Sequence, residues 1–430
     1  MEKLNRSLPP HFKTIEHVDI PKSKQEVLSN QIPVHIIAGG SQDVLKIEMI
    51  FNAGLWYQKS PLISGTCNSM LNEGTEKYSA AELAEKFDFY GAYITYNNSQ
   101  HDASVCLYTL NKYLDETLDL LEQIIKYPTF PEKEFKTILS NKKQDFLVNR
   151  EKTNALAKEK FNALIYGATH PYANVFEAKV FDEVKLDDIK EFYKNFYTSD
   201  NCRIIVSGKM DETVLPKIES RFGASAWQTK TSGIEPEHKL ISSNEKKSFV
   251  LKKDAVQSSI RIGRPLFNKT HPDFAGIMLL NLVLGGYFGS RLMQNIREDK
   301  GYTYGINSVL LSHLESGHFA IITEVGTDVC EAAISEIYKE IDRLKEELVP
   351  EDELNLVKNF FAGEMLRSFD SPFALSESLR GNLLFGFDNS YYERFLQDIK
   401  ATTSQKIMEL ANTYFQKEDL YEVIVGENKA

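Results

Sequence analysis

The sequence predicts an α+β fold of two homologous domains, each with a mostly antiparallel sheet flanked by helices. Three observations predict it. Phe196–Gly208 reads as a helix end, a turn and a strand, and Tyr414–Gly426 reads the same way, with closing glycines Gly208 and Gly426 218 positions apart. Pro131-Glu132-Lys133-Glu134-Phe135 and Pro350-Glu351-Asp352-Glu353-Leu354 each open a helix, 219 positions apart; proline in a first turn beside acidic residues suits a helix start. Strands also fall in neighbouring groups instead of alternating strictly with helices, which favours antiparallel pairing.

In chain order, residues 1–27 form an N-terminal extension, 28–222 the first domain, 223–247 a linker and 248–430 the second domain. The linker is small and polar, from Gly223-Ala224-Ser225 through Ser232-Gly233 to Ser242-Ser243-Asn244. In the first domain, Val34–Ile37 and Leu45–Phe51 read as strands, the second with an alternating pattern. Ser79 with Glu82 three residues later forms a capping box that opens a helix. Ala103–Leu110 reads as a strand, and Leu118–Ile125 has helical period. In the second domain, Ser258–Gly263 and Gly317–Thr323 read as strands, with a long helical stretch between them that ends near Lys300-Gly301.

Composition narrows the function. Lys and Arg number 50 against 61 Asp and Glu, a formal net charge of −11, which argues against sequence-independent nucleic-acid binding. No apolar run is long enough to cross a membrane. The first ten residues lack a secretory apolar core, and the four scattered cysteines suit a reduced compartment. The expectation is a cytoplasmic protein with no membrane partner.

The chemical motifs are few. The nine histidines include no pair at zinc-binding helical spacing; the closest two, His313 and His318, are five apart across a turn-like Glu315-Ser316-Gly317. Taken singly they read as surface or satisfied core positions. There is no G-x-S-x-G elbow and no phosphate loop, and the glycine-rich Leu284–Leu292 reads as close packing or a bend. One segment suggests chemistry. Gln294–Tyr304 ends a helix at Gly301, with Arg297 in its last turn and Tyr304 expected in the following strand. The glycine turn lets the chain double back, so a guanidinium and a phenol can converge on one acceptor as an oxyanion clamp. On spacing alone, an Arg–Tyr contact closing the helix–strand corner is the alternative.

At this point the sequence resembles the pitrilysin-type zinc peptidases, which include insulin-degrading enzyme and mitochondrial processing peptidase. Gly286–Tyr304 is close to the family's C-terminal pattern, GGxxSSRLxxxIREKxGLxY, and Val256–Gly263 resembles its QxxIxxG strand. Phe51–Tyr57 and Glu73–Ser79 resemble the flanks of the metal motif, and the duplicated halves match the family's architecture. The resemblance implies the fold of the mitochondrial processing peptidase. Active members carry H-x-x-E-H between those flanks. Here Gly65 and Ser69 stand in place of the histidines and Asn68 in place of the catalytic glutamate, with Asp145 where a third ligand belongs. These residues are poor zinc donors or none, so no metal is expected on this chain. The pattern resembles the zinc-lacking subunit of the family. It implies a heterodimer in which Arg297 and Tyr304 reach a zinc held by a homologous partner during peptide hydrolysis. The family also includes non-catalytic scaffolds that resemble respiratory-complex core proteins, and a homodimer is the alternative assembly.

Overall fold

The computed structural model describes residue 15 and residues 20–228 and 236–427. Most of the N-terminal extension and the centre of the linker lie outside the described residues, as do His11 and His17.

Two sheets of matching topology form the frame. The first contains β1 (Lys24–Val27), β2 (Pro33–Ala38), β3 (Val44–Phe51), β4 (Tyr93–Asn98), β5 (Ala103–Leu110) and β6 (Cys202–Gly208). Its order is β1-β2-β6-β3-β5-β4. The second contains β7 (Lys247–Leu251), β8 (Gln257–Leu266), β9 (Ile306–Ser312), β10 (Gly317–Gly326) and β11 (Tyr421–Gly426), in the order β7-β11-β8-β10-β9. Each sheet has one parallel pair, β2 with β6 and β7 with β11, and is otherwise antiparallel. The sequence repeat is therefore a repeat of strand order, to which β1, within residues 1–27, adds an edge. The closing glycines have one cause: a Cβ on Gly208 would sit 2.2 Å from the Val44 carbonyl oxygen, and one on Gly426 2.2 Å from Ser258 Oγ.

Local signals act where the sequence places them. Ser79 Oγ accepts from the Glu82 amide while Glu82 returns a bond to the Ser79 amide. Pro131 and Pro350 are the residues immediately before the helices Glu132–Arg150 and Glu351–Arg367. The helical stretch after β8 is not continuous, however. It passes from Phe274–Asn281 into a wider π turn, breaks at Tyr287 where the backbone is extended, and resumes to end in a second π turn at Met293–Asp299. The glycine-rich segment marks that bend.

The halves exchange helices. Thr153–Tyr166 from the first half packs on β8 and β11, and Pro372–Leu383 from the second packs on β2 and β6. Ile37, Ile50 and Ile205 of the first sheet thereby join the second half's core. Alternation in β3 predicts one polar face, and this face is covered: Lys46 and Glu48 have side chains only 2% and 1% exposed. Lys46 donates to Ser376 Oγ at 3.0 Å and pairs with Glu377. Arg380 bridges Glu48, at 2.7 Å, and Asp102. Ser104 Oγ completes the lattice on Glu48 at 2.9 Å. Removing one member of such a buried set strands the others. We expect Arg380→Ala to lower unfolding free energy by about 3–5 kcal/mol, read by urea denaturation.

At the opposite seam, five histidines distant in sequence come together. His101, His170, His238, His313 and His318 interleave with Trp56, Tyr166 and Tyr172. Tyr172 OH meets His101 Nε2 at 2.7 Å, and Tyr166 OH meets His318 Nδ1 at 2.6 Å. Burial pushes His101, His170 and His313 down to about 4 and His318 to about 3. Asp102 opposes this at His101, whereas Arg261 and Lys158 reinforce it at His318. An unfolded histidine titrates near 6.5, so between 6.5 and 4 the unfolded chain binds more protons. The stabilisation is complete above about pH 6.5 and is lost as pH falls toward about 4. Melting temperatures measured across this range should fall, and His313→Gln should flatten the slope.

Candidate functional site

The degenerate motif lies on the helix Ile63–Met70, which buries Ile63, Cys67 and Met70 against the first sheet. Gly65 and Ser69, one turn apart, face the long helix Glu132–Arg150. Between them stands Lys142. Its Nζ donates to the Gly65 carbonyl at 2.9 Å and to Ser69 Oγ at 3.2 Å, while Ser69 Oγ donates to the same carbonyl at 2.8 Å. No carboxylate among the described residues ion-pairs with Lys142. Burial lowers this amine to about 8 and pushes the neighbouring Cys67 thiol well up. A Cβ on Gly65 would lie 3.9 Å from the ammonium, so a longer side chain there would meet it. Asp145 stands on the same helix, exposed. The motif alignment points to Asp145, but the structure puts Lys142 in that place; a search for metal ligands passes over a lysine.

Asn68 is 2% exposed and serves the fold. Its Nδ2 donates to the carbonyls of Asn97 at 2.8 Å and Ser104 at 3.3 Å, and its Oδ1 accepts from Tyr197 OH at 3.0 Å. It pins the motif helix to β4 and β5. Among the described residues no group of three His, Cys, Asp or Glu side chains is placed to hold a metal ion.

In the second half Arg297 lies in the π turn, its guanidinium 4.8 Å from the Phe288 ring centroid and 3.5 Å from Glu298. Gly301 takes the left-handed conformation at φ 66°, as the helix end requires. Tyr304 is not in the strand expected for it: β9 begins at Ile306, and Tyr304 sits in the preceding loop, 94% exposed. Thr303 fixes that loop by donating to the Glu324 carbonyl and accepting from the Gly305 amide. No hydrogen bond or ring contact joins Arg297 to Tyr304. Tyr304 instead borders a cavity of about 320 Å³ with Arg261, Thr323 and Glu324. Arg261 Nε is buried there without a partner; sequence reading passed it over as an ordinary strand residue.

Comparison with known proteins fits this pattern. Residues 46–176 match the family model for insulinase, peptidase family M16, and residues 183–361 match the model for the peptidase M16 inactive domain. The chain belongs to the M16 peptidase family. Among M16 relatives, it is 24% identical to the uncharacterized zinc protease YmxG of Bacillus subtilis, over 85% of this chain and 90% of that one. It is 25% identical to the non-peptidase homolog YmxG of Helicobacter pylori, over 84% and 83%. The crystal structure of a peptidase M16 inactive domain from Pseudomonas fluorescens superposes with a TM-score of 0.85 at 22% identity, covering 95% of this chain and 99% of that one. The two-domain α+β fold is thus that of M16 proteins.

The site separates two effects that one experiment can compare. Asn68→Ala removes three buried bonds and should cost about 2–3 kcal/mol. Lys142 binds fewer protons folded than unfolded between about pH 8 and 10.5, so its burial as a cation destabilises the fold at pH 7. Lys142→Met should therefore melt higher than the parent at pH 7, with the advantage shrinking toward pH 10.5, as followed by thermal unfolding.

Proposed function

We propose that this chain is the zinc-lacking subunit of a heterodimeric M16 peptidase. In this reading it lends Arg297 and Tyr304 to the oxyanion that forms when a partner's zinc-bound water attacks a peptide carbonyl. The observation that carries the reading is a contrast: the motif site is filled by Lys142, whereas Tyr304 is 94% exposed and its hydroxyl makes no hydrogen bond among the described residues. An ammonium can neutralise the pocket, but it cannot acidify a water as zinc does. The exposed phenol is free to donate outward, and Arg297 is held at the surface by Phe288. Arg261, in the cavity beside Tyr304, adds a second guanidinium for a peptide main-chain oxygen. The open edge of β4, next to the motif helix, suits a peptide added as a strand.

Mixing tests the reading. The chain alone should leave peptides intact, and adding a zinc-bearing homologous subunit should produce cleavage. Arg297→Ala or Tyr304→Phe should lower turnover of the mixture by about 10²–10³, the loss expected for one oxyanion donor. Unchanged turnover in both variants would leave the scaffold reading in its place.

A further inference from the structure

A cavity lies away from both motif segments, on the face of the first sheet that the second half covers. It measures about 540 Å³. One wall is Arg203 and His35 from β6 and β2, with Asn52 beside them; the other is Leu379, Leu383 and Phe387 from the exchanged helix and the turn after it. We propose that this cavity binds a small carboxylic acid with an apolar body, its carboxylate on Arg203 and its body against Leu379, Leu383 and Phe387.

Three observations carry the assignment. Among the described residues the Arg203 guanidinium forms two long bonds, from NH2 to Asn52 Oδ1 at 3.3 Å and from NH1 to the Leu383 carbonyl at 3.4 Å. No carboxylate among the described residues ion-pairs with it, whereas Lys46 and Arg380 at the same interface each have one. A guanidinium has five donors in a planar fork suited to a carboxylate, so donors remain for a ligand. The two acids in the lining do not fill that role: Asp388 Oδ1 accepts from the amide and hydroxyl of Ser390, and Asp200 is exposed. His35, beside Arg203, is only 8% exposed. Burial and the Arg203 charge hold its imidazole below the usual range, which leaves Arg203 as the cation of this wall. The opposite wall is apolar, and the volume suits a molecule the size of an acylated amino acid. Because the two walls come from different halves, an occupant bridges them, and binding must stabilise the assembled chain.

Isothermal titration calorimetry on the full chain tests this, with N-acetylleucine as the acid and N-acetylleucinamide as its uncharged counterpart. The acid should bind at least about tenfold more tightly than the amide, and should raise the melting temperature. Arg203→Gln should erase the difference between the two compounds. Leu383→Trp, which fills the cavity from the apolar side and leaves the charge in place, should abolish binding of both. Equal affinity for acid and amide would overturn the proposal. So would unaltered acid binding in either variant, or absence of binding at millimolar acid. The outcome is independent of Arg297 and Tyr304.

Discussion

The rest of the structure depends on the charges buried between the halves. Lys46 and Glu48 belong to β3, Asp102 to the turn before β5, and Arg380 to a helix of the second half. None of them is stable out of water unless the others are in position. A hydrophobic seam would tolerate sliding, because apolar contact has no direction. A lattice of fixed donors and acceptors does not. The helix Pro372–Leu383 must therefore land in one register on the first sheet, and its counterpart Thr153–Tyr166 is placed on the second sheet by the same docking. Every other surface of interest, from the histidine seam to the Arg203 cavity, is defined by that register.

Seen against this frame, the motif site is a case of charge kept and chemistry changed. The helix pair there faces a single ammonium, which donates to the Gly65 carbonyl and to Ser69 Oγ. The positive charge still satisfies the carbonyl at the open position of the helix, and the local packing survives without ligands. Asn68 likewise serves packing, since its amide donates to two strands and accepts from a tyrosine hydroxyl, and an amide oxygen is too weakly basic for general-base work.

The sequence made the duplication legible because its markers answer to backbone geometry. Gly208 and Gly426 are there because a neighbouring strand leaves no room for a Cβ, and Pro131 and Pro350 precede helices for the same reason in both halves. Gly65 and Ser69 were legible as departures from the histidine positions of a metal motif, and Asn68 as a departure from its glutamate. Lys142 was not, because nothing in a ligand pattern calls for a cation. The histidine seam escaped notice because its members are spread from 101 to 318 and meet only after the halves have docked. Leu45–Phe51 was legible as an alternating strand, but the burial of Lys46 and Glu48 under the exchanged helix was not. Tyr304 was placed one element too late because a loop held by a threonine hydroxyl leaves no periodic trace.

The exchanged helices bear on the connectivity of the chain. A single half, cut free, would carry a helix with no sheet beneath it and a sheet bearing uncovered lysine and glutamate. It would be completed by an identical neighbour offering the same two surfaces. The chain thus has the connectivity of a swapped pair of similar units held together by one covalent joint.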